Sequence, residues 1–337
     1  MQKKSLLFWA CLLAILVIGG CTSMENNMVT TTSKYPDKPI TIIVPFSIGG
    51  ASDMIARSLE MTSNQHLGQP LIVVNKPGGA GSFAWNDIAG ASSDGYTIGI
   101  SGVELLLQPL YETTKYNYPT ALDPLVQIAT SPVLMAVLTE QPWDNLDDLI
   151  KYAKKHPGEI KFGHGGIGSI GHVTGETLAK STNIKLDQVP FRGATEGIAA
   201  LLGKHIQVAF INPAVAKDHM QNGTIKILAL TGENRLQDPS FTNIPTFKEY
   251  GLDITYSNFF GVVAPKDLPL NVKNKLVKEL KEIISEAEFK RNMDSLGLQL
   301  EYLGPEESQE KWLRERKKLT DTIQETGILD LIKAQKK

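Results

Sequence analysis

The sequence predicts an α/β fold with mainly parallel sheets, and three observations carry that prediction. Short β-branched runs recur along the chain, each bounded by Gly, Pro or Asn. Most of them lead into a stretch whose apolar residues repeat at helical spacing. The junctions between run and stretch are rich in glycine, the residue that strand-to-helix turns favour. Alternation of this βαβ kind implies helices layered over strands that mostly point the same way.

Taken in order, "PITIIVPF" (39–46), "LIVVNK" (71–76) and "YTIGISG" (96–102) read as buried strands. Between the first two, "DMIARSLEMTSNQHLG" sets Ile55 and Leu59 at helical spacing, and Gly68 follows the last turn as a helix stop. "EIKFGHGG" (159–166), "LDQVPF" (186–191), "IQVAFIN" (206–212) and "IKILALTG" (225–232) repeat the pattern of strand and turn, and only the last lacks a helix after it. From 270 onward, "NKLVKELKEIISEAEFKRNMDSLG" and "PEESQEKWLRERKKLTDTIQET" are amphipathic helices with charged outer faces. Those charges read as a solvated surface, with partner docking as the other reading.

The N-terminus fixes the compartment. Residues 1–20 carry two lysines, then an uncharged stretch from Leu6 to Gly20, which is the layout of an export signal and short for a membrane span. Ile18, Gly19, Gly20 and Cys21 resemble a lipobox, in which cleavage leaves Cys21 to carry lipid and anchor the chain to the bacterial cell membrane. An ordinary signal with an incidental cysteine is the alternative. Residues 21–35 are polar and unpatterned, as a tether should be. Cleavage would remove Lys3 and Lys4 and no acid, taking the formal charge from −2 to −4. No basic run or alternation of aromatic and basic residues appears, so nucleic acid is not an expected partner. Cys11 and Cys21 both belong to the leader region, leaving no pair for a disulfide in the folded part.

The functional question rests on the glycines at strand ends. A strand, a glycine pair and a helix start can bind an anion without a basic side chain, because backbone N–H groups are free there and the helix dipole favours negative charge. In "VPFSIGGASD" (44–53), Gly49 and Gly50 permit close backbone approach and Ser47 and Ser52 can donate hydroxyls. A plain tight turn with an N-cap reads the same residues equally well. Asp53 reads as a cap or loop brace, since a bare carboxylate would oppose an anion. The letters V-P-F return in "VPFRGATEG" (189–197), although three shared residues do not establish an internal repeat.

One loop imitates a cofactor motif. In "GHGGIGSIGH" (163–172), Gly166, Gly168 and Gly171 spell G-x-G-x-x-G between a strand and a helix. An NAD site needs an acid near the end of the next strand, whereas Asp187 precedes that strand and Arg192 follows it. Arg192 leaves an NADP-binding oxidoreductase open locally, but an exported lipoprotein has no nicotinamide pool. Ile167 stands where G-x-S-x-G would need glycine, which weakens a hydrolase reading of Ser169. His164 and His172 lack metal-ligand spacing and no HExxH occurs, so neither metal nor cofactor is expected. His172 reads as a hydrogen-bonding residue at a helix start rather than a catalytic base.

"YPDKPITIIVPFSIGGASDMIARSLE", "LGQPLIVVNKPGGAGSFAWNDIAGASSDGYTIGI", "IATSPVLMAV", "VPFRGATEGIAALLGKHIQVAFINPA", "IPTFKEYG" and "FFGVVAP" together resemble the tripartite tricarboxylate transporter receptor family, also called the TctC or Bug family. The similarity runs in unbroken order from about Tyr35 to Ile328. It implies a type II periplasmic-binding fold of two α/β lobes on a hinge. The lobes would comprise 36–136 with 233–337, and 137–232. It also implies a monomeric, non-enzymatic receptor that captures a di- or tricarboxylate, or a related organic acid, and delivers it to a membrane permease.

Carried over residue by residue, the resemblance places the first ligand loop on Pro45, Phe46, Ser47, Gly49, Gly50, Ser52 and Asp53, and a second on Ser101 and Gly102. "ATSP" adds Thr130 and Ser131. The other lobe adds Gly165, Gly166, Ser169 and His172, then Phe191, Arg192, Gly193 and Thr195, then Asn212. The two VPF turns are thereby expected to face each other across a cleft, and a side chain at Gly50 or Gly193 is expected to obstruct it. Three departures from the family pattern stand out. Ile48 replaces a proline or small residue, Arg192 stands where lysine is frequent, and Gln207 replaces an acid. The first two would touch the pocket and the third would sit behind the strand. Two other classes stay open: an extracytoplasmic enzyme, for which no nucleophile and base can be placed in register, and a sensory receptor with the same fold and pocket.

Overall fold

The computed structural model describes residues 35–336. The leader, Cys21 and all of the expected tether except Tyr35 lie outside the described residues. Two mixed sheets organise the chain, one of six strands in the order β11-β4-β10-β3-β1-β2 and one of five in the order β7-β6-β8-β5-β9.

The first sheet begins as the sequence suggests. β1 (Ile40–Val44), β2 (Leu71–Asn75) and β3 (Thr97–Ser101) pair in parallel, with Ile40 opposite Leu71 and Thr41 opposite Thr97. Helix α1 (Ala51–Leu67) crosses from β1 to β2 and buries Ile55 and Leu59. It ends where Gly68 takes the left-handed conformation, φ 74°, and returns its N–H to Asn64 at 3.1 Å. After α2 (Ser82–Ala89), α3 (Glu104–Tyr111) and the single turn α4 (Tyr118–Ala121), the ten-residue β4 (Leu122–Ser131) joins the same sheet.

Pro132 and Val133 then carry the chain into the second sheet, where β5 (Leu134–Leu138) follows at once. After α5 (Leu146–Lys155) come β6 (Lys161–His164), α6 (Ile170–Thr182), β7 (Asp187–Pro190), α7 (Ala194–Leu202), β8 (Val208–Ile211), α8 (Pro213–Gln221) and β9 (Ile225–Leu230). The chain returns through 231–257 to β10 (Asn258–Pro265), which lies in the first sheet between β3 and β4. The outward and return crossings are tied side by side: Thr231 N–H donates to Val133 O, and Val133 N–H donates to Thr231 Oγ1, both at 2.9 Å. Helices α9 (Leu270–Ser285) and α10 (Ala287–Ser295) lead to β11 (Gln299–Leu303), and α11 (Pro305–Glu325) and α12 (Ile328–Gln335) complete the described chain.

Two expectations change here. The sheets are not mainly parallel, because β10 runs antiparallel to β3 and β4, β11 to β4, and β5 to both β8 and β9. The physical reason is the double crossing: strands that enter or leave a sheet directly, without a helical crossover, can pair antiparallel. The expected boundary between 136 and 137 also falls inside β5, whose residues from Leu134 onward pair only in the second sheet.

Burial divides into three clusters. One covers a face of the first sheet with Ile55, Leu59, Ile98, Phe260 and the inner faces of α9 and α10. Another backs the second sheet with Leu134, Ile198, Leu201 and Phe241. The third joins residues of both sheets, including Trp85, Met135, Phe162, Phe259 and Trp312, under the tail helices. Deep side chains such as Phe162 and Phe259, nearly or fully removed from water, contribute roughly 2 to 3 kcal/mol each.

Candidate functional site

Five helices begin around one partly open cleft between the sheets. Ala51 and Ser52 of α1, Glu104 of α3, Ile170 and Gly171 of α6, Ala194 of α7 and Asn212, which caps α8, all line it. Three helices come from the second sheet and two from the first, so the helix ends converge from opposite sides. Each end presents N–H groups without intrahelical partners and the positive end of a dipole. The local chemistry that starts the helices is visible at two of them. Ser169 Oγ accepts the His172 N–H at 3.3 Å and Asn212 Oδ1 accepts the Val215 N–H at 3.2 Å, as N-caps do.

The space measures about 70 Å³, room for roughly five or six waters. Phe46, Phe210, Phe260 and Val133 supply apolar wall, and Ser52, Ser169, Asn212 and Asn258 supply polar groups. Among the described residues no lysine, arginine or histidine lines it, and Glu104 is the one ionisable residue of that lining. Burial pushes the Glu104 carboxyl up to about 7, against hydrogen bonds from its own N–H and from Ile170 N–H that favour the charged form.

The two VPF turns meet across the mouth of this space. Ser47 Oγ donates to Glu196 Oε1 at 3.2 Å. A Cβ placed on Gly193 would lie 3.1 Å from Ser47 N, too close without a shift, so glycine there lets the turns touch. Gly166, at φ 110°, similarly lies against Ala80. Gly50 differs from the expectation, because its Cβ would find only ordinary contacts, 3.4 Å to Ser47 O and 4.0 Å to Thr195 Oγ1.

Of the residues expected at the site, Phe46, Ser52, Gly165, Ser169 and Asn212 line the space. Pro45, Ser47, Gly49, Gly50, Gly193 and Thr195 belong to the apposed turns around it and are not lining residues. Ser101 and Gly102 lie just behind Glu104, whose Oε2 would be 3.0 Å from a Cβ on Gly102. Ser131 is buried with its hydroxyl on Pro132 O, and Thr130 faces a different groove beside Glu301 and Lys311.

Asp53 is a brace. Its carboxylate accepts from Gly49 N–H, Asn75 Nδ2 and Arg57 Nε, each at 2.9 Å, and so fixes the first turn. Burial opposes its charge, but those bonds and the Arg57 guanidinium hold the carboxyl below the usual range. His172 is fully buried and removed from the lining. Its Nδ1 accepts Gly168 N–H at 3.0 Å and its ring stacks on His164 at 4.3 Å, so it stiffens the glycine loop. Burial and the neighbouring His172 push His164 down to about 3.

Phe191, Arg192 and Gly166 line a separate surface groove with Lys336. Arg192 is exposed and Ile48 is 65% exposed, so neither departure from the family pattern touches the cleft lining. Gln207 accepts the Lys161 N–H at 2.9 Å on the strand edge, away from the lining.

Glu104, Asn258, Phe210 and Phe260 escaped the sequence reading. An acid opening a helix reads as a complement to the dipole, and an asparagine ahead of "FFGVVAP" reads as strand punctuation. Only the crossing of β10 into the first sheet puts Asn258 beside Val103, whose N–H it accepts at 3.2 Å.

Comparison with known proteins gives a consistent result. The model of the tripartite tricarboxylate transporter family receptor matches residues 55–328. The UPF0065 protein of the gbd 5′ region of Cupriavidus necator is 28% identical over 330 residues, covering 97% of this chain and 99% of that one. Among solved structures, periplasmic binding protein BugD superposes with a TM-score of 0.82 at 27% identity, over 87% of this chain and 99% of the other. An R. palustris protein solved with adipate gives 0.80 at 26%, over 87% and 98%. The matched family and these neighbours are solute-binding receptors rather than enzymes. Among the described residues no helix is long and apolar enough to cross a membrane.

Proposed function

The chain belongs to the tripartite tricarboxylate transporter receptor family, and from that premise we propose that it closes two lobes over a small carboxylate and delivers it to the permease of such a transporter. The observation that carries the carboxylate is the space ringed by five helix N-termini with, among the described residues, no cationic side chain in its lining. Backbone dipoles aimed at one point suit an anion, and they do so without charges that would repel one another in the empty protein. The adipate held by the R. palustris neighbour is a molecule of this kind.

The lobes are the two sheets with their helices, and the paired crossings at Val133 and Thr231 are the hinge. A ligand favours closure only through contacts made on both sides, and the lining supplies them: Phe46 and Ser52 from one lobe, Gly165, Ser169 and Asn212 from the other. The protein acts as a monomer, held at the outer face of the cell membrane by lipid on Cys21.

Calorimetry on protein starting at residue 22, against succinate, malate, adipate and citrate, tests the reading, with small-angle scattering to follow closure. At least one carboxylate is expected to bind and compact the protein. Binding of none, alongside binding of an uncharged solute, would refute the anion site. Loss of uptake of the bound acid in cells lacking the protein tests delivery; unchanged uptake assigns the receptor to sensing.

A further inference from the structure

Glu104 is not what a space built for an anion calls for. It is 3% exposed, and among the described residues it is the one ionisable group of the lining and its Oε2 has no hydrogen-bond partner. Its Oε1 accepts the Ile170 N–H at 3.3 Å, and Ile170 opens a helix of the opposite sheet, so the carboxyl lies in the seam itself. An ionised Glu104 beside a bound carboxylate would set two like charges in one dry space, an arrangement that drives one of them to take a proton. The titratable group that feels its charge is Tyr111, on its own helix. The elements facing it contribute Ser52, Ser169, Asn212 and Asn258 among apolar groups and, among the described residues, no cation.

We propose that Glu104 binds the ligand as the neutral acid, its Oε2–H donating to a carboxylate oxygen of the anion, so that one proton enters the closing cleft with each ligand. This deepens the carboxylate reading above and rests on it. The proton comes from solvent as the seam closes and returns to solvent as it opens, and no bond other than that O–H is made or broken. The effect of burial on this carboxyl agrees with the geometry. A buried acid could instead stay charged and hold an ammonium group of the ligand. The five converging helix N-termini oppose that, since a cation would meet their positive ends. The ligand class is therefore a carboxylate that carries no cationic group.

Calorimetric titration with succinate, adipate and the amino-bearing acid glutamate, from about pH 6 to about pH 9, tests the proposal. Burial pushes this carboxyl up to about 7 with the turns in contact, and affinity for the bound dicarboxylate is expected to fall about tenfold per unit above that pH. In the falling range about one proton should be taken up per ligand, read from binding enthalpies in buffers of different ionisation enthalpy. Glu104→Gln offers a neutral amide donor at every pH and should flatten the profile and abolish proton uptake. If that variant misfolds, the proton uptake of the unaltered protein decides alone. A dicarboxylate that binds with a level profile and no proton uptake overturns the proposal and leaves the carboxylate reading standing. Preference for glutamate, strengthening with pH and lost in Glu104→Gln, overturns it in favour of an ammonium site. Binding of no carboxylate at any pH removes both.

Discussion

Replacing Gly193 by valine should open the cleft without harming either half of the protein. Gly193 has φ 170°, an extended conformation that any residue adopts, so the change carries no backbone strain. What it adds is a Cβ 3.1 Å from Ser47 N and 3.4 Å from Ser47 Cβ and Oγ, on the far side of the seam, with two further methyl groups beyond. Overpacking of this kind costs about 1 to 3 kcal/mol, and because it is felt only when the turns meet, it falls on the closed state alone. A cost near 2 kcal/mol corresponds to a loss of about thirtyfold in carboxylate affinity. Calorimetry should read that loss, and small-angle scattering should show weaker compaction, while the unfolding midpoint without ligand stays within about 2 °C. Gly50→Ala, whose Cβ meets Ser47 O at an ordinary 3.4 Å, should cost much less. Valine at 193 binding and compacting like the unaltered protein would show that the turns do not meet in the bound form. Unfolding of the valine variant without ligand would show that the contact belongs to the fold and not to closure.

Asp53→Asn removes the ion pair to Arg57 and weakens the brace on Gly49, so thermal unfolding should lose about 1 to 2 kcal/mol. Because the folded carboxyl titrates below its unfolded value, its contribution is present above the ordinary aspartate range and is lost as pH falls through the folded value; an Asn variant with the same acid sensitivity as the parent would contradict this. Arg192→Ala should leave carboxylate affinity within about twofold, since the side chain is exposed in a separate groove; a tenfold loss would place it on the ligand. Cys21→Ala should shift the processed protein from the membrane to the soluble fraction, and retention with membranes after signal removal would exclude the lipid anchor.

Most strands legible in the sequence share a trait. β1, β2 and β3 in one sheet and β6, β7 and β8 in the other each have a parallel partner and precede a helix or turn marked by Gly, Pro or Asn, whereas β9, equally legible, pairs antiparallel with β5. The antiparallel strands β4, β5, β10 and β11 are not placed by that pattern: each takes its sheet neighbours from distant parts of the chain, and only Pro132 and Val133 divide β4 from β5. The site followed the same rule. Ser52, Gly165, Ser169 and Asn212 sit at turns whose chemistry is local, and local chemistry is what sequence displays. Glu104 and Asn258 are placed by contacts to Ile170, 66 residues away, and to Val103, 155 residues away. Arg192 misled for the converse reason, because a positive charge after a strand suggests an anion partner, while the turn directs this side chain outward.

The last described helix fastens the seam. Lys336 Nζ reaches Gln108 Oε1 at 2.5 Å and Glu112 Oε1 at 2.7 Å on the first sheet's side. Gln335 Nε2 donates to Glu176 Oε1 at 3.2 Å on the other. These residues follow every other described element in the order of synthesis and export. The second sheet, built from 134–230, can therefore fold first, the first sheet is completed when β10 and β11 emerge, and the clasp closes after both.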